Sequence, residues 1–294
     1  MTTSDGDKLD AGTGMGLVSL HVGDLAAQSE YYRTALALEP IAETDGEITL
    51  GRGAAPLVRL RHTPGLPVAP RRAAGLFHTA LLFDTPSDLA ATVYRAAQHP
   101  RSQFVGSSDH HVSEAFYFTD PEGNGIELYT DRPRDTWLDA AGRIAMSTEF
   151  LDPNAYLRAN LVEDTADAPQ KAAADVGHVH LQVGDVDTAK SFYVDTLGFE
   201  TTTTYPGALF VSAGGYHHHI ALNVWNSAGA GPRAATLGLG QLTIEVPERT
   251  ELDAVADRLR GAGLQFADDG ATITVLDPWR SEVVLRTREQ AVAA

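Results

Sequence analysis

GLVSLHVGDLAAQSEYYRTALALEP, residues 16–40, returns without a gap as GHVHLQVGDVDTAKSFYVDTLGFET, residues 177–201. Each copy opens with alternating apolar residues, which predict a strand, and continues after V-G-D with apolar residues three and four apart, which predict a helix. The aspartates of the two V-G-D turns, Asp24 and Asp185, are placed to cap those helices. The chain is therefore expected to be built from repeated strand–turn–helix units.

A looser copy follows each of these two segments. Residues 75–98 and 237–264 each predict a strand and then a helix, with Pro86 and Pro247 near the first helical turn. Both copies close on strand, D-P turn, strand, at AFYFTDPEGNGIELY (115–129) and ITVLDPWRSEVVLR (273–286). The predicted fold is α+β, with four βαβββ modules near 14–65, 74–132, 176–228 and 236–288.

The modules are expected to form two domains joined by a long connector. The boundaries predicted from the sequence are a disordered tail over 1–13, domains over 14–132 and 176–288, a connector over 133–175 and a short tail over 289–294.

Composition excludes several classes of function. The net charge of −17 argues against nucleic acid or an anionic membrane as partner, because both require basic patches. No apolar run reaches the roughly 18 residues of a membrane span. With no cysteine, any metal must be held by His, Asp or Glu. We expect a cytoplasmic protein that acts on a small molecule, and the sequence leaves a homo-oligomer open.

The modular pattern resembles the vicinal oxygen chelate (glyoxalase/bleomycin resistance/dioxygenase) superfamily over nearly the whole chain. That superfamily includes glyoxalase I, fosfomycin-resistance proteins and type I extradiol dioxygenases. Within it, GYHHHIAL (215–222) and SEAFYFTDPEGNGIE (113–127) together are similar to two-domain, ring-cleaving catechol 2,3-dioxygenases. The resemblance implies two cup-shaped domains of mixed β-sheet.

The resemblance also implies a set of metal ligands. The family takes ligands from the first and last strands of a module, which selects His78, Glu127 and His178. Two histidines and one carboxylate form the facial triad of non-haem Fe(II), and Mn(II) uses the same ligands. The matching positions in the other strands cannot form such a set; they are Leu17, Arg59, Ala221, Gln241 and Val284. Ala221 stands where a glyoxalase-like site has a fourth ligand.

The location of these ligands predicts how the modules pair. Extradiol enzymes of this family place all three ligands in modules three and four, but here module four has none. We therefore expect module two to pair with module three, and module one with module four. This arrangement lets His78, Glu127 and His178 meet, and it leaves the other pair of modules without a metal.

The run of His217, His218 and His219 has two interpretations. The family match selects His218 as the acid-base residue, while strand alternation places His217 and His219 on the face of Ala221. An irregular strand start after Gly214 and Gly215 favours His218. His217 and His219 are expected to be solvated at the start of a strand.

Further residues match positions around the family site. Tyr117 lies ten residues before Glu127, the spacing of a substrate-binding tyrosine, with a buried core tyrosine as the alternative. His110 matches a histidine that contacts substrate or oxygen; His111 is its rival, and a plain loop histidine is the alternative. His180 is expected beside His178 or in the core. Tyr32 and Tyr193 are expected to be core packing.

Together these residues imply an extradiol (meta) ring-cleaving dioxygenase that opens an aromatic diol of the catechol type with O2. The resemblance implies that His218 takes the proton of a ring hydroxyl. It also implies that His110 and Tyr117 stabilise the charge that develops on oxygen. Two other classes remain open: an isomerase or lyase using Ni, Mn or Zn, and a metal-free protein that binds small aromatic compounds.

Overall fold

The computed structural model describes residues 8–162 and 173–288, and within them the four predicted modules are present. The strands of modules one and two are β1 Gly14–Val22, β2 Glu39–Thr44, β3 Glu47–Arg52, β4 Ala55–His62, β5 Gly75–Phe83, β6 Gln103–Asp109, β7 Ser113–Thr119 and β8 Gly125–Asp131. The connector holds β9 Glu149–Phe150. The strands of modules three and four are β10 Ala174–Gln182, β11 Glu200–Tyr205, β12 Ala208–Ser212, β13 Ile220–Asn223, β14 Gly238–Val246, β15 Phe266–Asp268, β16 Thr272–Leu276 and β17 Glu282–Thr287.

One helix follows the first strand of each module, and a further helix lies in the connector. The helices are α1 Leu25–Ala35, α2 Pro86–Gln98, α3 Pro153–Asn160, α4 Val186–Lys190, which continues as a wider turn over Ser191–Thr196, and α5 Arg249–Gly261. Asp24 accepts the backbone N–H of Ala27, and Asp185 accepts that of Thr188. The predicted caps are confirmed.

The strands form two mixed sheets. In hydrogen-bonded order, the eight-stranded sheet runs β15-β16-β17-β14-β1-β4-β3-β2, and the nine-stranded sheet runs β11-β12-β13-β10-β5-β8-β7-β6-β9. The first strand pairs in parallel with the last in modules two, three and four, as β5–β8, β10–β13 and β14–β17, and β1 lies beside β4 in module one. Modules two and three therefore supply one sheet and modules one and four the other, in agreement with the pairing that the ligand positions predict.

By its internal contacts the chain divides into two compact units. Among the described residues, one unit contains 8–18, Pro67–Leu76 and 178–288, and the other contains Ser19–Leu66, 77–162 and 173–177. The division passes through β1, β5 and β10 rather than between modules. The domain boundaries expected from the sequence, 14–132 and 176–288, stay a prediction.

Each unit contains one bond between a helix tyrosine and a D-P turn. Tyr32 of α1 donates its hydroxyl to Asp120 Oδ2 at 3.2 Å, and Tyr193 donates its hydroxyl to Asp277 Oδ2 at 3.1 Å. Burial raises the pKa of both phenols well above the usual value of 10, and it raises the pKa of both carboxyl groups. The core role predicted for Tyr32 and Tyr193 is confirmed.

The disordered tail expected over 1–13 is wrong for residues 8–13. Leu9 is buried and its backbone N–H donates to the Gly198 carbonyl at 2.9 Å, while Lys8 pairs with Glu200. An apolar side chain that finds a place in the core keeps this segment ordered. Residues 1–7 and the tail at 289–294 lie outside the described residues.

None of the helices in the described ranges combines the length and the apolar character needed to cross a membrane. The cytoplasmic location expected from the composition stays a prediction.

Candidate active site

β5 and β8 place His78 and Glu127 side by side. Ala80 is the parallel partner of Glu127, so the histidine two residues earlier stands on the same face of the sheet. Nε2 of His78 lies 2.9 Å from Oε2 of Glu127, and both side chains are buried. A Cβ on Gly125 would come within 2.0 Å of the Phe77 carbonyl oxygen. The strand that carries Glu127 therefore needs glycine at its first residue.

β10 carries His178, which is 1% exposed. One potential ligand atom from each of His78, Glu127 and His178 lies within 4.8 Å of the other two. Ligand atoms about 2 Å from a shared ion lie at most about 4 Å apart, so the three side chains stand close to the spacing of a metal site. The structure thus brings together the three residues that the sequence selects, and their donor set suits a divalent transition metal.

The register of β10 and β13 identifies the counterpart of Glu127 in module three. His180 is the parallel partner of Ala221, as Ala80 is of Glu127. Ala221 is fully buried and offers no ligand atom. The position of a fourth ligand is therefore apolar.

The histidine run enters β13 through an irregular turn. Gly214 and Gly215 have φ of 62° and 67°, and the strand begins only at Ile220. Strand alternation consequently does not extend over His217–His219. The ring of His218 lies 4.1 Å from that of His178, measured between centroids.

The expectation that His217 and His219 are solvated is wrong. Their exposures are 0% and 8%, because the turn folds the run against β12 instead of leaving it at the surface. His219 Nδ1 accepts the backbone N–H of Ala213 at 3.2 Å, which makes His219 a structural residue. Nδ1 of His217 lies 2.8 Å from Nδ1 of His218, so one of the two nitrogens must bear a hydrogen and donate it to the other.

Tyr117 and His110 form a hydrogen-bonded pair beside Glu127. Tyr117 is directly opposite Glu127 in the β7–β8 pair, and its hydroxyl lies 2.7 Å from His110 Nε2. Burial raises the pKa of Tyr117 well above 10, and the charge of Glu127 acts in the same direction. The phenol therefore keeps its proton and can donate it. Tyr117 also packs on the core residues Ala80, Ala115 and Tyr129, so its site and core interpretations are compatible.

His111 does not reach this pair. It is exposed, has φ of 67°, and its backbone N–H bonds to the Asp109 side chain at 2.8 Å. Of the two rival histidines, the structure places His110 against Tyr117.

Three residues near these groups were not singled out from the sequence. The Ser147 carbonyl lies 2.7 Å from His110 Nδ1. Asn223 Nδ2 lies 2.9 Å from His180 Nε2, and the Trp225 ring stands 5.5 Å from that of His180. Asn223 follows Ala221 by two residues on one strand face, which is a signal that could have found it. Ser147 comes from the connector, where no periodic pattern points to it.

The corresponding positions of the other sheet hold no metal-ligating set. Arg59 pairs with Glu47 at 3.3 Å, and Gln241 Nε2 donates to Thr243 at 3.3 Å, while Leu17 and Val284 are buried apolar side chains. Within residues 8–162 and 173–288, one group of three His, Asp or Glu side chains is close enough to share a metal ion, and it consists of His78, Glu127 and His178.

Comparison with known proteins identifies the family of the chain. The profile of the Glyoxalase/Bleomycin resistance protein/Dioxygenase superfamily matches residues 14–128 and 175–278. The chain is 38% identical over 272 residues to catechol-2,3-dioxygenase of Bacillus subtilis, covering 90% of this chain and 94% of the relative.

Two solved structures share the fold at low identity. A candidate dioxygenase from Bacillus subtilis has a TM-score of 0.64 at 12% identity, over 95% of this chain and 86% of its own. Glyoxalase I from Zea mays has a TM-score of 0.57 at 17% identity, over 96% and 94%. The protein is an extradiol dioxygenase-like enzyme, and its chain belongs to the Glyoxalase/Bleomycin resistance protein/Dioxygenase superfamily.

Proposed function

We propose that the protein cleaves the ring of a catechol-type aromatic diol with O2, beside the diol, at a mononuclear Fe(II) held by His78, Glu127 and His178. The observation that carries the proposal is the approach of their three donor atoms to within 4.8 Å of one another. The relative named catechol-2,3-dioxygenase supports the substrate class. Mn(II), which accepts the same ligands, is the alternative metal.

Three protein ligands leave coordination positions for small molecules. When bound, the metal would supply Lewis acidity toward the diol oxygens and a position for O2. The buried Ala221 leaves one such position open where a fourth protein ligand would otherwise stand.

His218 is the proposed base. Its ring contacts that of His178 and packs against Phe210 at 5.1 Å, so it lies next to a ligand without being one of the three. An imidazole in that place can take the proton of a ring hydroxyl and later return it. His217, which is fully buried against His218 Nδ1, holds the orientation of that ring.

Tyr117 and His110 are the proposed hydrogen-bonded pair that stabilises developing negative charge on oxygen, with the Tyr117 hydroxyl as the donor. Tyr117 stands opposite Glu127 and stays protonated. His110 carries the other end of that hydrogen bond. Placed donors of this kind stabilise charge as it appears during the reaction.

Oxygen uptake by protein reconstituted anaerobically with Fe(II) tests the proposal. With simple catechols we expect uptake together with a yellow semialdehyde product, and loss of both in His178→Ala and Glu127→Ala. His62→Ala, which changes an exposed histidine at the end of β4, serves as the matched control and should keep both. Reconstitution with Mn(II) instead of Fe(II) separates the two metals.

Metal content distinguishes the ways in which the proposal can fail. One bound metal per chain without uptake would favour an isomerase or lyase. Neither metal nor uptake would favour a protein that binds a small aromatic compound.

A further inference from the structure

The connector returns along the edge of the nine-stranded sheet beside His110. Phe150 and Glu149 of β9 are antiparallel partners of Ser108 and Asp109 of β6. Two hydroxyls of β6 hold this segment: Ser107 Oγ donates to the Leu151 carbonyl at 2.7 Å, and Ser108 Oγ donates to the Glu149 carbonyl at 3.2 Å. We refer to residues 147–151 as the strap.

Packing holds the strap on both sides. Before it, the buried Trp137 donates its indole N–H to the Arg132 carbonyl at 2.9 Å, and its own carbonyl accepts the N–H of Ala145 at 2.8 Å. After it, the buried Tyr156 of α3 packs against Phe116, with ring centroids 4.9 Å apart. The strap therefore has a defined position relative to β6.

The strap bonds both the backbone and the ring of His110. Ser147 N–H donates to the His110 carbonyl at 3.1 Å, and the Ser147 carbonyl lies 2.7 Å from His110 Nδ1. A carbonyl oxygen can only accept, so Nδ1 must carry the hydrogen. In a neutral imidazole the other nitrogen, Nε2, then accepts, and it is Nε2 that faces the Tyr117 hydroxyl.

We infer that the strap is a positioning element of the site: it fixes His110 as the Nδ1–H tautomer, so that Nε2 receives the hydrogen bond of Tyr117. The opposite tautomer would turn the lone pair of Nδ1 toward the Ser147 carbonyl, which has no hydrogen to donate. Hydrogen bonds to the remote nitrogen of a functional histidine commonly select its tautomer in this way. The catalytic consequence of this inference rests on the proposed function, whereas the tautomer itself does not.

The tautomer can be observed without turnover. In protein freed of metal by chelation, two-bond ¹⁵N–¹H correlations of the histidine rings should show His110 as Nδ1–H, with the signal assigned by its loss in His110→Gln. In Ser107→Ala/Ser108→Ala, which loosens the strap without touching His110, the signal should move toward a mixture of tautomers. An Nε2–H tautomer in the unaltered protein, or an unchanged tautomer in the double variant, would overturn the inference.

Kinetics of the Fe(II) enzyme separate positioning from a general structural role. We expect Ser107→Ala/Ser108→Ala to lower kcat about tenfold and change KM by less than about twofold, because ordering an acid-base residue affects mainly the chemical step. In a His110→Gln background the same change should have no further effect on kcat. An equal loss in both backgrounds would contradict the inference.

The two experiments also keep this inference distinct from the proposed function. If no catechol is cleaved, the proposed function fails, and the tautomer measurement alone decides the role of the strap. If catechol is cleaved but the tautomer and the kinetic cycle show no dependence on Ser107 and Ser108, the strap inference fails while the proposed function stands.

Discussion

His217, His218 and His219 follow one another in the chain, yet their side chains have three different surroundings. His219 bonds to the Ala213 backbone, His218 stands against His178, and His217 lies wholly buried between other aromatic rings. The two preceding glycines adopt a conformation that other residues rarely take, and this turn sets the direction of each ring. At the scale of single residues, backbone conformation therefore decides which of the three imidazoles stands against His178.

His218→Gln should lower turnover by about 10²- to 10⁴-fold, the usual contribution of a placed acid-base group. Its metal content should stay near that of the unaltered protein, because none of the three proposed ligands is changed. Oxygen uptake and elemental analysis of the same sample check both parts. Loss of metal together with activity would show that His218 supports the metal rather than moving a proton.

The same run shows what the sequence could and could not predict for individual residues. The family match and the Gly-Gly pair selected His218 over its neighbours as the acid-base residue, and that role stays a prediction. The structure places the ring of His218 nearer to that of His178 than the ring of His217 is. The burial of His217 and His219 could not be predicted, since it depends on how a non-repeating turn folds against β12. Likewise the spacing between Tyr117 and Glu127 was sufficient to predict that Tyr117 lies beside Glu127. The contact of His110 with the Ser147 carbonyl could not be predicted, because a backbone atom has no sequence signature.

At the scale of elements, the D-P turn before β8 is held by hydrogen bonds within the turn and by one from helix α1. Asp120 accepts the backbone N–H groups of Glu122 and Asn124 at 2.9 Å, and the hydroxyl of Tyr32 from α1. The turn itself was predicted from D-P-E-G-N-G. The bond to Tyr32 was not, because the two residues lie 88 positions apart and periodicity reports only on neighbours in the chain.

Asp120→Ala should reduce the free energy of unfolding by about 2–4 kcal/mol, since it leaves several buried donors without an acceptor. Asp269→Ala is the matched control: Asp269 accepts the N–H groups of Ala271 and Thr272, but in an exposed turn where water can replace it. We expect a loss below about 1 kcal/mol there. Urea unfolding at neutral pH gives both values, and similar losses would contradict the role assigned to burial.

At the scale of the whole molecule, the distribution of ligand residues predicted how the modules share sheets. The internal repeat gave the four βαβββ modules, and the absence of a ligand in module four gave the pairing of two with three and one with four, which the strand order confirms. The N-terminal boundary could not be predicted. Leu9 is one apolar residue in a polar segment, and its burial depends on a place that only the folded chain provides.

Buried tyrosines should make the protein less stable in alkali. Burial raises the pKa of Tyr31 to about 12 and the pKa of Tyr32, Tyr117 and Tyr193 well above 10. Above pH 10 the unfolded chain loses protons that the folded chain keeps, so the free energy of unfolding falls as the pH rises.

Urea unfolding between about pH 8 and pH 11 should show this decline, with tyrosinate absorbance from these residues appearing only as the protein unfolds. Tyr32→Phe removes one of the four groups and should make the decline shallower. A stability independent of pH over this range would contradict the prediction.

Glu127 and Ala221 occupy equivalent positions in modules two and three, so one substitution at Ala221 would add a potential metal ligand. Glu127 is the parallel partner of Ala80, and Ala221 that of His180; Ala80 and His180 each lie two residues after a proposed ligand, His78 or His178. Ala221→Glu would therefore place a carboxylate at the equivalent point of module three. One base change converts some alanine codons into glutamate codons. A descendant of this gene could thus fill, in a single step, the coordination position that Ala221 leaves open, and gain the four-ligand set of an isomerase while keeping every other part of the scaffold.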